Sequence, residues 1–138
     1  MLSKEQKQKK ELSENTKDTG TFDATDGAGW TLKSTQVLFV PTAYPEFWVL
    51  GLDQYTPNLN AIIFAIPKSL SGYTPHTIYF DDREWVQKWE VDIEGETYPV
   101  ESGWVNVELR NSQKTIVGTL EFILKEDRKI TGSFHIFS

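Results

Sequence analysis

The segment "SGWVNVELRNSQKTIVGTLEFILKEDRKITGSFHIF", Ser102 to Phe137, alternates apolar and polar residues through three runs separated by short polar breaks. Val105, Val107 and Leu109 share one parity, and Trp104, Asn106, Glu108 and Arg110 take the other. Thr115–Lys125 places Ile116, Leu120, Phe122 and Leu124 on one face, and Lys129–Phe137 forms a third run. A period of two is the signature of a strand with one buried face. "NSQK" and "EDR" are turn chemistry between the runs. Upstream, Trp85–Ile93 sets Trp85, Trp89, Val91 and Ile93 against a predicted wet face of Lys88, Glu90 and Asp92. "EGE" then turns the chain into Thr97–Arg110. Four strands with short connections predict an antiparallel meander.

Working back towards the N-terminus, the same patterns recur. Thr21–Thr25 runs into Asp26-Gly27, a turn dipeptide in which glycine accepts positive φ. Trp30–Val40 reads as one long strand ending at Pro41. Phe47–Leu52, Ala61–Ile66 and Thr77–Phe80 are further strand candidates, separated by the polar "DQYTPNLN" and by "PKSLSGYTPH". No stretch sustains a helical period over three turns. "DDREWVQKWEVD" comes nearest, and its β-branched continuation opposes it. Eight or nine strands in about 120 residues predict an all-β domain, either a β-sandwich or an up-and-down β-barrel.

Composition agrees. Five Trp, eight Phe and five Tyr in 138 residues favour pleated, half-buried surfaces, and this length gives one domain with its own core. Residues 1–19 differ: only Met1, Leu2 and Leu12 are apolar, which predicts a disordered tether ahead of a domain at 20–138. That segment holds five lysines against four acids. The remainder holds nine basic and sixteen acidic groups, part of a net charge of −6. An acidic body repels phosphate backbones, so nucleic acid is not an expected partner. Apolar runs fall far short of the roughly 20 residues that span a bilayer. The N-terminus carries no apolar export segment, so the expectation is a cytoplasmic protein, or an exported one if this chain is a processed form. Cysteine is absent, which removes disulfides and thiolate chemistry.

The opening "GTFDATDGAGW" resembles the start of a group of small bacterial β-domains, many of them exported lipoproteins. Gly20, Phe22, Ala24, Asp26, Gly27 and Trp30 match that group's opening, and "IVGTLEF" and "ITGSFHI" match its closing strands. The resemblance implies an antiparallel β-fold and carries no activity with it. The lipoprotein signal and its modified cysteine are missing here.

Candidate chemistry is sparse. An EF-hand loop counted back from Gly27 finds Ala24 and Phe22 where oxygen ligands belong, so Asp23 and Asp26 are read as hairpin residues and no metal is expected. Asp81, Asp82 and Glu84 in "FDDREW" are an acidic cluster of the kind that serves hydrolysis, or a solvated turn. His76 and His135 have no spacing that joins them. No nucleophile elbow and no phosphate-cradling loop occurs, so no catalytic residue and no cofactor is assigned. What remains is aromatic. Trp104 lies on the polar parity of its strand, and Tyr44, Tyr55 and Tyr73 fall in loops. Together they are the candidate ligand-binding residues, suited to a glycan or small amphipathic molecule. The alternative is a protein-interaction or structural β-domain using the same patch or a sheet edge.

Overall fold

The computed structural model describes residues 2–14, 17–53, 58–70, 74–81 and 88–138. Among the described residues a helix, α1 (Lys4–Glu14), precedes eleven strands. They are β1 (Thr19–Thr25), β2 (Thr31–Ser34), β3 (Gln36–Pro41), β4 (Glu46–Asp53), β5 (Asn60–Pro67), β6 (His76–Tyr79), β7 (Glu90–Ile93), β8 (Glu96–Pro99), β9 (Ser102–Arg110), β10 (Thr115–Leu124) and β11 (Arg128–Phe137). Two antiparallel sheets form, one in the order β2-β1-β11-β10-β9-β6 and the other β3-β4-β5-β7-β8. Neither closes on itself. The fold is a β-sandwich, and the barrel alternative falls.

The strand count exceeds the predicted eight or nine because two long runs each change sheet partway. Trp30–Val40 breaks at Thr35, sending β2 to the six-stranded sheet and β3 to the five-stranded one. The buried Ser34 hydroxyl makes that corner feasible. It accepts from the N–H groups of Gln36 (3.1 Å) and Leu52 (3.0 Å) and donates to the Leu52 carbonyl (2.5 Å). It thereby satisfies backbone groups that the bend removes from the ladder. Ser34→Ala should cost about 1–3 kcal/mol in urea unfolding, the penalty of leaving buried backbone groups unpaired. A loss below about half a kcal/mol would mean that water replaces the hydroxyl.

The second break lies at Val100-Glu101, after Pro99. Thr97–Arg110 is therefore two strands, β8 and β9, in different sheets. The meander expected from Trp85 onward is accordingly two units. β7–β8 is a hairpin of the five-stranded sheet, and β9–β10–β11 is a meander of the six-stranded one. β1 extends the latter by pairing with β11, Phe22 opposite Phe134.

Between the sheets lies an aromatic core. Phe22, Phe64, Trp89, Phe122 and Phe134 are all at most 3% exposed. The Phe64 ring is central, with centroids of Phe134 at 5.4 Å, Trp89 at 5.8 Å, Phe122 at 6.0 Å and Phe22 at 6.4 Å. Trp89 is a core residue, as its parity predicts, and Trp30 is one as well. Trp85 lies outside the described residues.

Where a tether is expected at 1–19, the structure places α1, packed on the outer face of the five-stranded sheet through Gln6, Lys9 and Ser13. Low hydrophobicity argues against burial of an apolar face. It does not preclude burial of a polar one against matched charges.

Candidate functional site

"TFDATDGAGW" is a hairpin. Gly27 takes φ +73° between β1 and β2, and the Asp26 carboxylate organises the turn. Its Oδ1 accepts from Ala28 N–H (2.8 Å) and Trp30 N–H (3.0 Å), and its Oδ2 from the Arg128 guanidinium (2.8 Å). The Trp30 indole N–H donates to Asn60 Oδ1 (2.9 Å), which ties the hairpin to the opposite sheet. Both Asp26 oxygens are thus engaged by protein donors. Among the described residues no group of three or more His, Asp or Glu is placed to hold a metal ion.

Burial alone would raise the Asp26 carboxyl, but the Ala28 N–H, Arg128 and the Trp30 N–H outweigh it and hold it below the ordinary carboxylate range. A lowered folded-state value stabilises the protein above about pH 4, and that contribution is lost as pH falls through the lowered value. Asp26→Asn should therefore flatten the acid limb of a stability-versus-pH curve measured by urea unfolding. An unchanged limb would show that other carboxylates set it.

The remaining ionisable candidates do not assemble. His135 lies on the outer face of β11 with its ring centroid 4.4 Å from that of Phe137. His76 lies on β6 opposite Val107, with β9 and β10 intervening between β6 and β11. Its parity is that of Ile78, which packs on the core, rather than that of the outer face. Of the acidic cluster, Asp81 is half-buried, while Asp82 and Glu84 lie outside the described residues.

Trp104 sits on the outer face of the six-stranded sheet and is half-buried. Directly opposite it on β6 stands Tyr79, 68% exposed. Cross-strand partners at this register have Cβ atoms about 5 Å apart, so the two rings share one patch. Beyond Trp104 the same row continues through Glu121, Thr131, Thr25 and Thr31. The neighbouring row runs Thr77, Asn106, Thr119, Ser133, Asp23, Lys33, and Asn106 Nδ2 donates to Thr77 Oγ1 at 2.8 Å. Asp23, Thr25, Thr31, Lys33, Thr131 and Ser133 line a shallow open trough of about 420 Å³ at the far side. This face is hydroxyl-rich and mixed in charge, with Tyr79 and Trp104 at its β6 side and the His135–Phe137 pair at the end of β11. Tyr44 is 48% exposed but belongs to the β3–β4 turn of the other sheet, so it does not join Trp104. Tyr55 and Tyr73 lie outside the described residues.

The opposite outer face, on the five-stranded sheet, corrects the predicted wet face of Glu90 and Asp92. Both are buried, at 7% and 0% exposure, beneath α1. Lys9 Nζ reaches Glu90 Oε1 at 2.9 Å and Asp92 Oδ2 at 2.8 Å. The Gln6 amide donates to the Gly95 carbonyl (2.9 Å) and to Thr97 Oγ1 (3.1 Å), whose hydroxyl donates to Asp92. Burial would lower the Lys9 ammonium, but Asp92 and Glu90 outweigh it and hold it above its ordinary value. Lys88, on the same parity, remains exposed, 3.6 Å from Glu5.

Tyr79 was not a candidate because its significance depends on which strand lies beside it. The helix left a local sign in "SKEQ". Ser3 Oγ accepts from Gln6 N–H and Gln6 Oε1 from Ser3 N–H, a reciprocal capping box. No helix among the described residues is long and apolar enough to cross a membrane. Compared with known proteins, the chain matches no family model, no curated protein and no solved structure.

Proposed function

We propose that this domain is a protein-interaction module that docks a partner on the outer face of its six-stranded sheet, with Tyr79 and Trp104 as anchors. One observation carries the reading. The two outer faces are treated differently: the domain's own helix covers one, while the other presents Tyr79 at 68% exposure beside Trp104. Tyr and Trp are the residue types that supply large, rigid contact area at interface centres. Among the described residues β6 is an edge strand, which adds a backbone ladder beside the patch, suited to an extended segment.

A photo-crosslinking residue at position 79, compared with one at Thr21 on the same face across the sheet, tests this. In the cells that make the protein, position 79 should yield a discrete protein adduct that Trp104→Ala abolishes and position 21 does not reproduce. Equal adducts from both positions would sink the proposal. A second reading, glycan binding, draws support from Glu121, Asn106 and Thr77 beside the rings, since a sugar needs a stacking face flanked by hydrogen-bonding groups. Saturable binding to a glycan array, lost in Trp104→Ala, would replace the first reading with the second.

A further inference from the structure

The outer face of the five-stranded sheet has an apolar centre beside its two buried carboxylates. Leu38, Leu50, Leu52, Leu59, Ala61 and Ile63 form a cluster of their own there, each at most 5% exposed. Their cover is poorly matched. Of the eleven residues of α1, only Leu12 is a large apolar residue, and it points away from the sheet at 37% exposure. The helix meets the sheet through Gln6, Lys9 and Ser13, and the apolar Leu2 just ahead of it packs on the cluster. Sheet faces of this kind are ordinarily covered by the apolar stripe of an amphipathic helix. What holds α1 in place is polar: Lys9 between Glu90 and Asp92 and Gln6 on Gly95 and Thr97 at the β7–β8 side, and Ser13, whose hydroxyl accepts from Gln36 Nε2 (2.5 Å), at β3.

From this mismatch we infer that the face is a helix-binding seat which α1 occupies in cis, and that an amphipathic helix of a partner protein, carrying a lysine aligned on Glu90 and Asp92 and leucine-like residues towards Leu38, Leu50 and Ile63, takes its place. Charge sets the register of the incoming helix, because two buried carboxylates need a cation between them to offset their charge. Apolar contact supplies the affinity that α1 lacks. The short connection to β1 gives α1 a high effective concentration, so a weak cis contact suffices to keep the seat filled until a better helix arrives. The seat lies on the other sheet from Tyr79 and Trp104, and it stands or falls separately from the proposed docking face there.

The probe is a fluorescein-labelled synthetic peptide of residues 2–17 carrying Lys10→Leu and Ser13→Leu, added to the full-length protein. Anisotropy should show saturable binding, and the same peptide with Lys9→Glu should bind at least about tenfold more weakly. Hydrogen exchange should show the protein's α1 amides losing protection as the probe binds. Because the charge reversal is made in the peptide, the protein's folding is not at issue. Three results would each overturn the inference: no saturable binding of the leucine-bearing peptide, binding indifferent to the lysine reversal, or binding that leaves α1 exchange unchanged. Peptide-free protein that sediments as a dimer by exchanging α1 between copies would also overturn it, assigning the seat to a second copy of the chain.

Discussion

Phe64→Ala is expected to lower the unfolding free energy by about 3–5 kcal/mol, the range for removing a large ring from a packed core. Phe64 is fully buried on β5, at the centre of the five-stranded sheet, and its ring meets Phe22, Phe122 and Phe134 from the other sheet as well as Trp89 beside it. Its removal leaves a void walled by Phe22, Phe122 and Phe134 on three separate strands and by Trp89 just ahead of β7. The strand backbones are fixed by ladders and the Trp89 carbonyl accepts from Val100 N–H (3.0 Å), so the cavity cannot collapse, and the upper part of that range applies. In urea the midpoint should fall with little change in slope, as expected when the native state loses packing but the surface exposed on unfolding is nearly constant. Phe137→Ala is the control. That ring is 44% exposed at the end of β11, and its loss should cost far less. A Phe64→Ala cost below about 1 kcal/mol would show that the two sheets are not joined through this cluster.

Gly103→Ala has the second largest expected effect, about 3 kcal/mol or more, and it reaches the proposed docking face. Gly103 lies in β9 with φ +136°, a region that L side chains rarely adopt. A Cβ there would stand 2.2 Å from the Glu121 carbonyl oxygen and 2.9 Å from Phe122 Cα. Both are backbone atoms of the paired strand β10, so neither can step aside without opening the β9–β10 ladder. Strain of about 1–3 kcal/mol and overpacking of a similar size combine. Gly103 also precedes Trp104, and its carbonyl accepts from Phe80 N–H (3.0 Å), the residue after Tyr79. The substitution should therefore loosen the attachment of β6 as well. Urea unfolding measures the first effect, and faster exchange of the Phe80 amide measures the second. Unchanged Phe80 protection in a destabilised variant would mean that β6 is held by other contacts.

The contrast between these sites and α1 shows what one-dimensional pattern carries. Val105, Val107 and Leu109 could be assigned inward, and Trp104 outward, because parity along a strand is a local property that neighbours in sequence reveal. The Asp26-Gly27 turn was legible for the same reason, since turn geometry depends on the residues within it. Tyr79 became part of a patch only once β6 lay against β9, a pairing across 25 positions of chain between the two rings. Tyr44, read beside Trp104 as a loop aromatic, went to the other sheet.

By itself, then, the order of residues determined that the chain is an antiparallel all-β domain, which residues face inward along most strands, and where its hairpins turn. Tertiary structure alone decided that two runs change sheets, that the sheets stay open, and that Glu90 and Asp92 are buried. Parity tells only that a residue faces away from the core between the sheets. Whether that side meets water depends on what else the chain lays over it. Here a lysine more than 80 positions earlier does so, and no pattern local to β7 contains it.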